Sequence, residues 1–419
     1  MTDSAALSDP ASTEAPAARS PAPHPPATSA GDDGFDYIPL CNPDISTAEV
    51  EVLGQVLTRG GLGDGRMVQA FETAFAAYVG RAHAVAVASG TIGLLLALKA
   101  HGIGPGDEVL CSPFGWHQAQ HAVALSGAVP VLVDIDYWQH TLNPEKAAQL
   151  VTPATKAMVA ANVNGHPAHW DELTALAKER GLILIEDSCE AIGSTYKGRM
   201  VGSFGDCAVF DFSEPGVLLA GEGGMIVTDD RDLAHRLRYL RRREVEHRNT
   251  VVITRTVPWQ AGMGALSAAL GLVQLKRLPE ILEKRNRVIG WYDRAMASFE
   301  GIKPPYRGPG AEIVNPMVYC VHLGTRFTAS GRKAILEDLD THDVDASDFG
   351  QPLHTQQYYQ EHHADRGASR AACPVCTKTA DRVLALPLHH GITEDQVTFI
   401  VETLKDATVN TGAGAAIYL

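Results

Sequence analysis

No stretch of this chain is apolar over enough residues to cross a bilayer as a helix, which excludes a helical membrane anchor. It does not begin with basic residues followed by an apolar run, so no secretory signal is expected. Positive charge is in short supply: 35 Lys and Arg stand against 49 Asp and Glu, a formal net charge of −14. Nucleic acid and anionic membrane both demand basic surface, and this balance excludes them as main partners. The seven cysteines are odd in number and scattered. That is the pattern of thiols in a reducing compartment and not of a disulfide framework, so a cytoplasmic location is expected. Cys373-Pro374-Val375-Cys376 is a lone C-x-x-C with no second pair at zinc spacing. It lacks the ligand set of a metal site and reads as a surface loop, and no metal-binding residues are assigned.

What is present is ample apolar material. With 45% hydrophobic residues in 419, a large core and two or three structural units are expected. Residues 1–36 differ from the rest: rich in Ala, Pro, Ser and Thr and poor in large apolar side chains, they are expected to form a disordered tail. From about residue 50 to 227, short β-type runs alternate with helical stretches, which predicts a mostly parallel sheet covered on both faces. Strands are read at 84–88, 108–111, 129–135, 157–163, 182–185, 208–212 and 225–228. Helices are read at 92–100 and 171–180, and another begins near Arg231. Arg241-Arg242-Arg243 near the end of that helix reads as a solvated terminus favoured by the helix dipole. A long helical segment over 265–299 leads to a smaller α+β unit that closes with a helix over 394–406. The expected divisions are a large α/β domain over 37–264, a connecting helix over 265–300 and a small C-terminal domain over 301–419.

Several motifs carry chemistry. Ser89-Gly90-Thr91 ends a strand and opens a helix, where backbone N–H groups and the helix dipole favour an anion or simply a capped start. Phe114-Gly115-Trp116-His117 follows the next strand, and the face of Trp116 suits a flat or cationic group or a place in the core. Asp187, in Ile185-Glu186-Asp187-Ser188-Cys189-Glu190, sits at the carboxyl end of a buried strand, where sites in α/β sheets form. The run Phe210-Asp211-Phe212-Ser213-Glu214-Pro215-Gly216 leads into Gly221-Glu222-Gly223-Gly224.

Taken together these motifs, with Ala268 to Leu275, Pro352-Leu353-His354 and Leu384 to His389, resemble the DegT/DnrJ/StrS sugar and aminocyclitol aminotransferases. The resemblance runs from about Pro39 to Thr408. It implies a fold type I aminotransferase fold, a small-molecule substrate of sugar or cyclitol type, and pyridoxal phosphate (PLP) as cofactor. It places Gly90 and Thr91 at the cofactor phosphate, Trp116 on the pyridine ring and Asp187 at the pyridine nitrogen. It also exposes departures. The lysine that holds PLP as a Schiff base falls at Gly216, and the phosphate-binding serine falls at Asp211. A Gln or His that contacts the ring hydroxyl is Glu190, a threonine is Gly115, and an asparagine and arginine near the dimer interface are Gln260 and Gly262. Glycine cannot form a Schiff base or move a proton, so covalently held PLP is not expected.

Asp187, Glu190 and Asp211, with Glu214 unless it faces solvent, make the former cofactor pocket acidic. Three functions follow from that pattern. The first is a repurposed enzyme of amino-sugar or specialised-metabolite biosynthesis that works without covalent PLP, with Asp187, Glu190, Asp211 and His117 as its catalytic groups. The second is a catalytically silent subunit paired with an active paralogue. The third is an enzyme using PLP or its amine form noncovalently. A homodimer, or a heterodimer with a paralogue, is expected in each case.

Overall fold

The computed structural model describes residues 37–63, 65–116, 118–242, 257–297, 299, 301–363 and 373–416, with side chains as far as 411. The tail expected to be disordered and His117 lie outside the described residues. Two helices come first, α1 (Thr47–Arg59) and α2 (Arg66–Val79). Ser46 starts α1 with a reciprocal capping box to Glu49, and Gly80 ends α2 in the left-handed conformation that glycine adopts freely.

Strands and helices then alternate: β1 (His83–Val87), α3 (Gly90–Ala100), β2 (Glu108–Cys111), α4 (Gln118–Ser126), β3 (Val129–Leu132) and α5 (Pro144–Leu150). They continue with β4 (Thr155–Ala161), α6 (Trp170–Arg180), β5 (Ile183–Asp187), β6 (Thr195–Tyr196), β7 (Arg199–Met200), β8 (Cys207–Asp211), β9 (Gly224–Thr228) and α7 (Arg231–Arg241). Seven of these strands form one sheet in the order β1-β9-β8-β5-β4-β2-β3, in which β9 alone runs antiparallel to its neighbours. Its strands are near-continuous apolar runs, as a sheet covered on both faces requires. Helix α3 is apolar around most of its circumference because it is buried against the sheet between α4 and α7.

The long α8 (Ala265–Met296) follows, then β10 (Ile302–Lys303), β11 (Ala311–Ile313), β12 (Tyr319–Leu323), α9 (Ala329–Thr341), β13 (Ser347–Asp348), α10 (Gln357–His363), α11 (Pro374–Ala380), β14 (Val383–Leu386) and α12 (Glu394–Ala416). Strands β10-β12-β14-β13 form a second, antiparallel sheet, whose core is shared with α8, α9 and α12. Strand β11 pairs with the β6–β7 hairpin.

Two expectations are corrected. Cys373 and Cys376 do not lie on a surface loop. Both are fully buried at the start of α11, where the Asp134 carboxylate accepts the N–H groups of Val375 (3.1 Å) and Cys376 (2.9 Å). An acidic side chain from another element thus caps this helix. Arg241 is not part of a solvated helix end either. It is buried, donates to the Glu72 carboxylate and to the Ala86 carbonyl (2.7 Å), and so ties α7 to α2 and β1. The apolar residues ahead of it in α7 carry it inward, and Glu72 also accepts the Ala86 N–H at 2.8 Å. Removing one member of a buried ion pair leaves the other uncompensated, at a cost of about 3–5 kcal/mol. Glu72→Ala is therefore expected to lower stability by about that amount in urea unfolding. Glu72→Gln, which keeps the bond to Ala86, is expected to lose less.

Candidate functional site

The candidate site lies at the ends of β1, β2, β4, β5 and β8, and the backbone amides of the loops that leave them determine its chemistry. At the start of α3, Ser89 accepts the Ile92 N–H at 3.3 Å, while the N–H of Gly90 points at Asp211. Asp211 Oδ2 accepts that N–H at 2.6 Å, and its Oδ1 accepts the Ser213 N–H at 2.8 Å and the Ser213 hydroxyl. A carboxylate of the chain itself thus occupies the positive end of α3. The fit is close: a Cβ on Gly90 would stand 2.8 Å from both Asp211 Oδ2 and Cys189 Sγ. Thr91 follows in the first turn and is partly buried.

Glu190 is bound in the same manner. Its Oε1 accepts the Trp116 N–H at 2.7 Å and its Oε2 accepts the Asn164 N–H at 2.6 Å, which joins the loops after β2, β4 and β5. Gly115 makes this possible. It sits at φ +102°, a conformation L side chains rarely adopt, and a Cβ there would lie 3.3 Å from Glu190 Oε1. Trp116, 41% exposed, stands at the mouth of the site and is not a core aromatic.

Asp187 ends β5 and accepts the Cys189 N–H at 3.1 Å. Burial, with the nearby Asp211 charge adding to it, pushes its carboxyl up to about 6. Burial also pushes Glu190 up to about 7, against the opposing effect of its two backbone donors. Glu186, by contrast, is a structural carboxylate: it accepts from Gly202, Phe204, Asn162 and Ser188 and holds the neighbouring turns.

The cavity between these groups is small, about 10 Å³, with Trp116, Gln118, Cys189, Glu190, Asp211 and Glu214 among its lining residues. Glu214 is exposed at the rim, and Asp187 lies behind the lining. Sequence reasoning missed Gln118. It is buried beside the mouth, and its Oε1 has no hydrogen-bond partner among the described residues. A polar residue two positions after Trp116 was the available signal. No lysine is among the described residues that line this cavity. Gly216, the position that the motif pattern assigns to the lysine, lies in the turn after β8 with its N–H on the Ser213 carbonyl at 2.9 Å. A Cβ there would come within 2.6 Å of that same carbonyl oxygen. Gln260, at φ +52°, and Gly262 lie on the exposed segment before α8.

A parallel-rich seven-stranded sheet, a smaller antiparallel sheet and a site at the strand ends, with a long helix between the two sheets in sequence, define the fold type I aminotransferase class. The chain belongs to the DegT/DnrJ/EryC1/StrS aminotransferase family, whose sequence profile matches residues 43–405. It is 34% identical over 381 residues to the spore coat polysaccharide biosynthesis protein SpsC of Bacillus subtilis, an overlap of 88% of this chain and 97% of the relative. It is 36% identical over 347 residues to GDP-perosamine synthase of Caulobacter vibrioides, covering 82% and 91%. Among solved structures, S. venezuelae DesV in complex with a ketimine intermediate superposes with a TM-score of 0.81 at 28% identity, covering 89% of this chain and 98% of that one.

The residues present do not fit PLP in the place that the family resemblance gives it. A phosphate at the start of α3 would meet the Asp211 carboxylate where a donor is needed. At about 4 Å and an effective dielectric of 20, each pair of like charges costs about 4 kcal/mol. Among the described residues the cavity lining has no amine, and its volume suits a single water.

The raised Asp187 carboxyl generates a prediction. A carboxyl whose folded-state pKa exceeds its unfolded value binds its proton more tightly when folded. Its contribution to stability is therefore complete below about pH 4 and lost as the pH rises through about 6. Asp187→Asn keeps an oxygen for the Cys189 N–H and carries no charge. At pH 8 the variant is expected to be more stable than the parent, by on the order of 1–3 kcal/mol, and the advantage should shrink below pH 6 and be gone by about pH 4. Thermal unfolding of both proteins at the two pH values checks the sign.

Proposed function

We propose that this chain acts in amino-sugar or related specialised-metabolite biosynthesis as a PLP-independent member of its family, with a cofactor pocket closed by its own carboxylates. The observation that carries the reading is the Asp211 carboxylate on the Gly90 N–H at 2.6 Å. It puts a carboxyl group of the chain where the family resemblance calls for a phosphate. The glycine at 216 and the absence of lysine among the described residues that line the cavity support the same reading. The relatives named for spore-coat polysaccharide and perosamine synthesis supply the metabolic setting.

The chemistry that remains is proton transfer. Asp187 and Glu190 have carboxyls raised to about 6 and 7, so either can give or take a proton near neutral pH. Glu190 and Asp211 have both oxygens engaged by N–H or hydroxyl donors. Asp187 has one backbone donor and is the stronger candidate for the acid or base. Gln118 offers a buried carbonyl oxygen to orient a donor group of the substrate.

Two outcomes are expected with PLP. The purified protein should develop no visible absorption band beyond free cofactor on titration, and Gly216→Lys alone should not restore transamination. The new side chain would press on the Ser213 carbonyl, and Asp211 would still occupy the phosphate position. Gly216→Lys combined with Asp211→Ser, Glu190→Gln and Gln260→Asn should bind PLP more tightly than the single variant. Equal affinity in both would remove the argument from Asp211. In the pathway itself, Asp187→Asn, Asp211→Asn and Glu190→Gln should each lower product yield.

A second reading, a silent subunit in a dimer with an active paralogue, is favoured by apolar side chains left in solvent. Leu57, Leu62, Val257 and Trp259 are all exposed on α1 and on the segments that precede α2 and α8. Light scattering at micromolar concentration is expected to return a dimer, alone or with a paralogue. Full product yield from all three carboxyl variants would favour the silent subunit.

A further inference from the structure

A groove of about 460 Å³ runs along the outer edge of β1, between α2 and the end of α7. That volume is within the range of small-molecule sites, about 300–1,000 Å³. The lining reverses the charge of the chain. The formal net charge is −14 overall, yet four arginines, at 81, 238, 241 and 242, and His83 line the groove against one carboxylate, Glu72.

The sheet explains why arginines stand there. Strand β1 is its last member, so the outward carbonyls of β1 have no neighbouring strand to bond to. Arg238 donates to the Ala84 carbonyl at 3.3 Å and Arg241 to the Ala86 carbonyl at 2.7 Å. Both side chains come from the last turns of α7, where the helix dipole favours cations. A carbonyl orients a guanidinium without cancelling its charge, whereas a carboxylate cancels it. The arginines differ in this respect. Arg81 is engaged by Asp229 and by the carbonyls of Gly202, Phe204 and Gly205, and Arg241 is paired with Glu72. Arg238 gives one of its five N–H donors to Ala84, and no carboxylate among the described residues pairs with it. It is half-buried, so it is fixed in place and keeps its charge. Arg242 follows four residues later, a spacing that puts the two side chains on one face of the helix end.

A guanidinium that is held but not neutralised, in a groove of ligand size, calls for an anion. Its planar fork matches two oxygens of a phosphoryl group. Two such forks one helical turn apart match two linked phosphoryl groups better than a single carboxylate. On the opposite wall Gln69 is exposed on α2 and adds an uncharged amide donor. We propose that this groove is an anion site for a terminal diphosphate, free or carried by a small metabolite, with one phosphoryl group on Arg238 and the other on Arg242 beside His83. The site is separate from the acidic pocket. From His83 at the groove, β1 runs about 13 Å to Val87 before the chain reaches Gly90.

The full chain is titrated by calorimetry at fixed ionic strength with inorganic pyrophosphate, methyl diphosphate, inorganic phosphate, sulfate and citrate. Pyrophosphate or methyl diphosphate is expected to bind with a Kd below about 1 mM, at least about tenfold more tightly than the other three. The preferred diphosphate tells the free anion from one carried by a metabolite. Arg238→Gln keeps an N–H for the Ala84 carbonyl, and Gln69→Glu adds a carboxylate at an exposed position. Each is expected to weaken binding by about tenfold, and Gln69→Lys to strengthen it. Should Arg238→Gln fail to fold, the two Gln69 variants decide. No binding at about 10 mM of either diphosphate, equal affinity for sulfate, preference for citrate, or unchanged affinity in either folded weakening variant would overturn the proposal. None of the substituted residues lines the acidic pocket, so these outcomes are independent of the function proposed for it.

Discussion

The bond from the Gly90 N–H to Asp211 sets the character of this molecule. A helix that begins at the end of a buried strand presents unpaired N–H groups to the site, and something must accept from them. In this chain the acceptor is covalently part of the next-but-one strand in the sheet, at the end of β8. The same solution recurs elsewhere. Asp134 accepts from the first turn of α11, and Glu190 accepts from two loop amides that no regular structure would satisfy. Carboxylates placed on backbone donors need no ligand to make them stable.

That arrangement explains why an acidic site is tolerated. Three buried carboxyls close together would ordinarily repel one another. Two of them are held by N–H or hydroxyl donors on both oxygens, and the raised pKa values of Asp187 and Glu190 let protons relieve the rest. The acidity seen in the sequence is thus of two kinds. Glu190 accepts a backbone N–H on each oxygen, Asp211 accepts an N–H on one oxygen and an N–H and a hydroxyl on the other, and Asp187 accepts a single backbone N–H.

The sheet and its order of strands and helices were legible because apolar runs of strand length alternate with helical spacing between residues 50 and 227. The motif residues Gly90, Trp116, Asp187, Glu190 and Asp211 were legible as neighbours through their resemblance to a family. What was not legible is how each carboxylate is paired, because the partners are backbone amides that leave no mark on the sequence. Arg241 illustrates the same limit. Its place in a basic run suggested solvent, while its partner Glu72 lies 169 residues away and is revealed only by packing. Cys373 and Cys376 are buried for a similar reason, since the carboxylate that caps their helix comes from residue 134. His140 and His322 form no motif at all, and only the packing of the loop after β3 against strand β12 brings them together.

The left-handed backbone at Gly115 carries a historical consequence. With glycine there, the chain can turn the Trp116 amide onto Glu190, and with Glu190 there, a side chain at 115 has little room. Each residue makes the other harder to change back. Gly90, wedged against Asp211 and Cys189, and Gly216, wedged against the Ser213 carbonyl, add two further steric locks to the same pocket. Substitution at each of these three positions meets a steric barrier set by a neighbour, and the barriers stand at glycines.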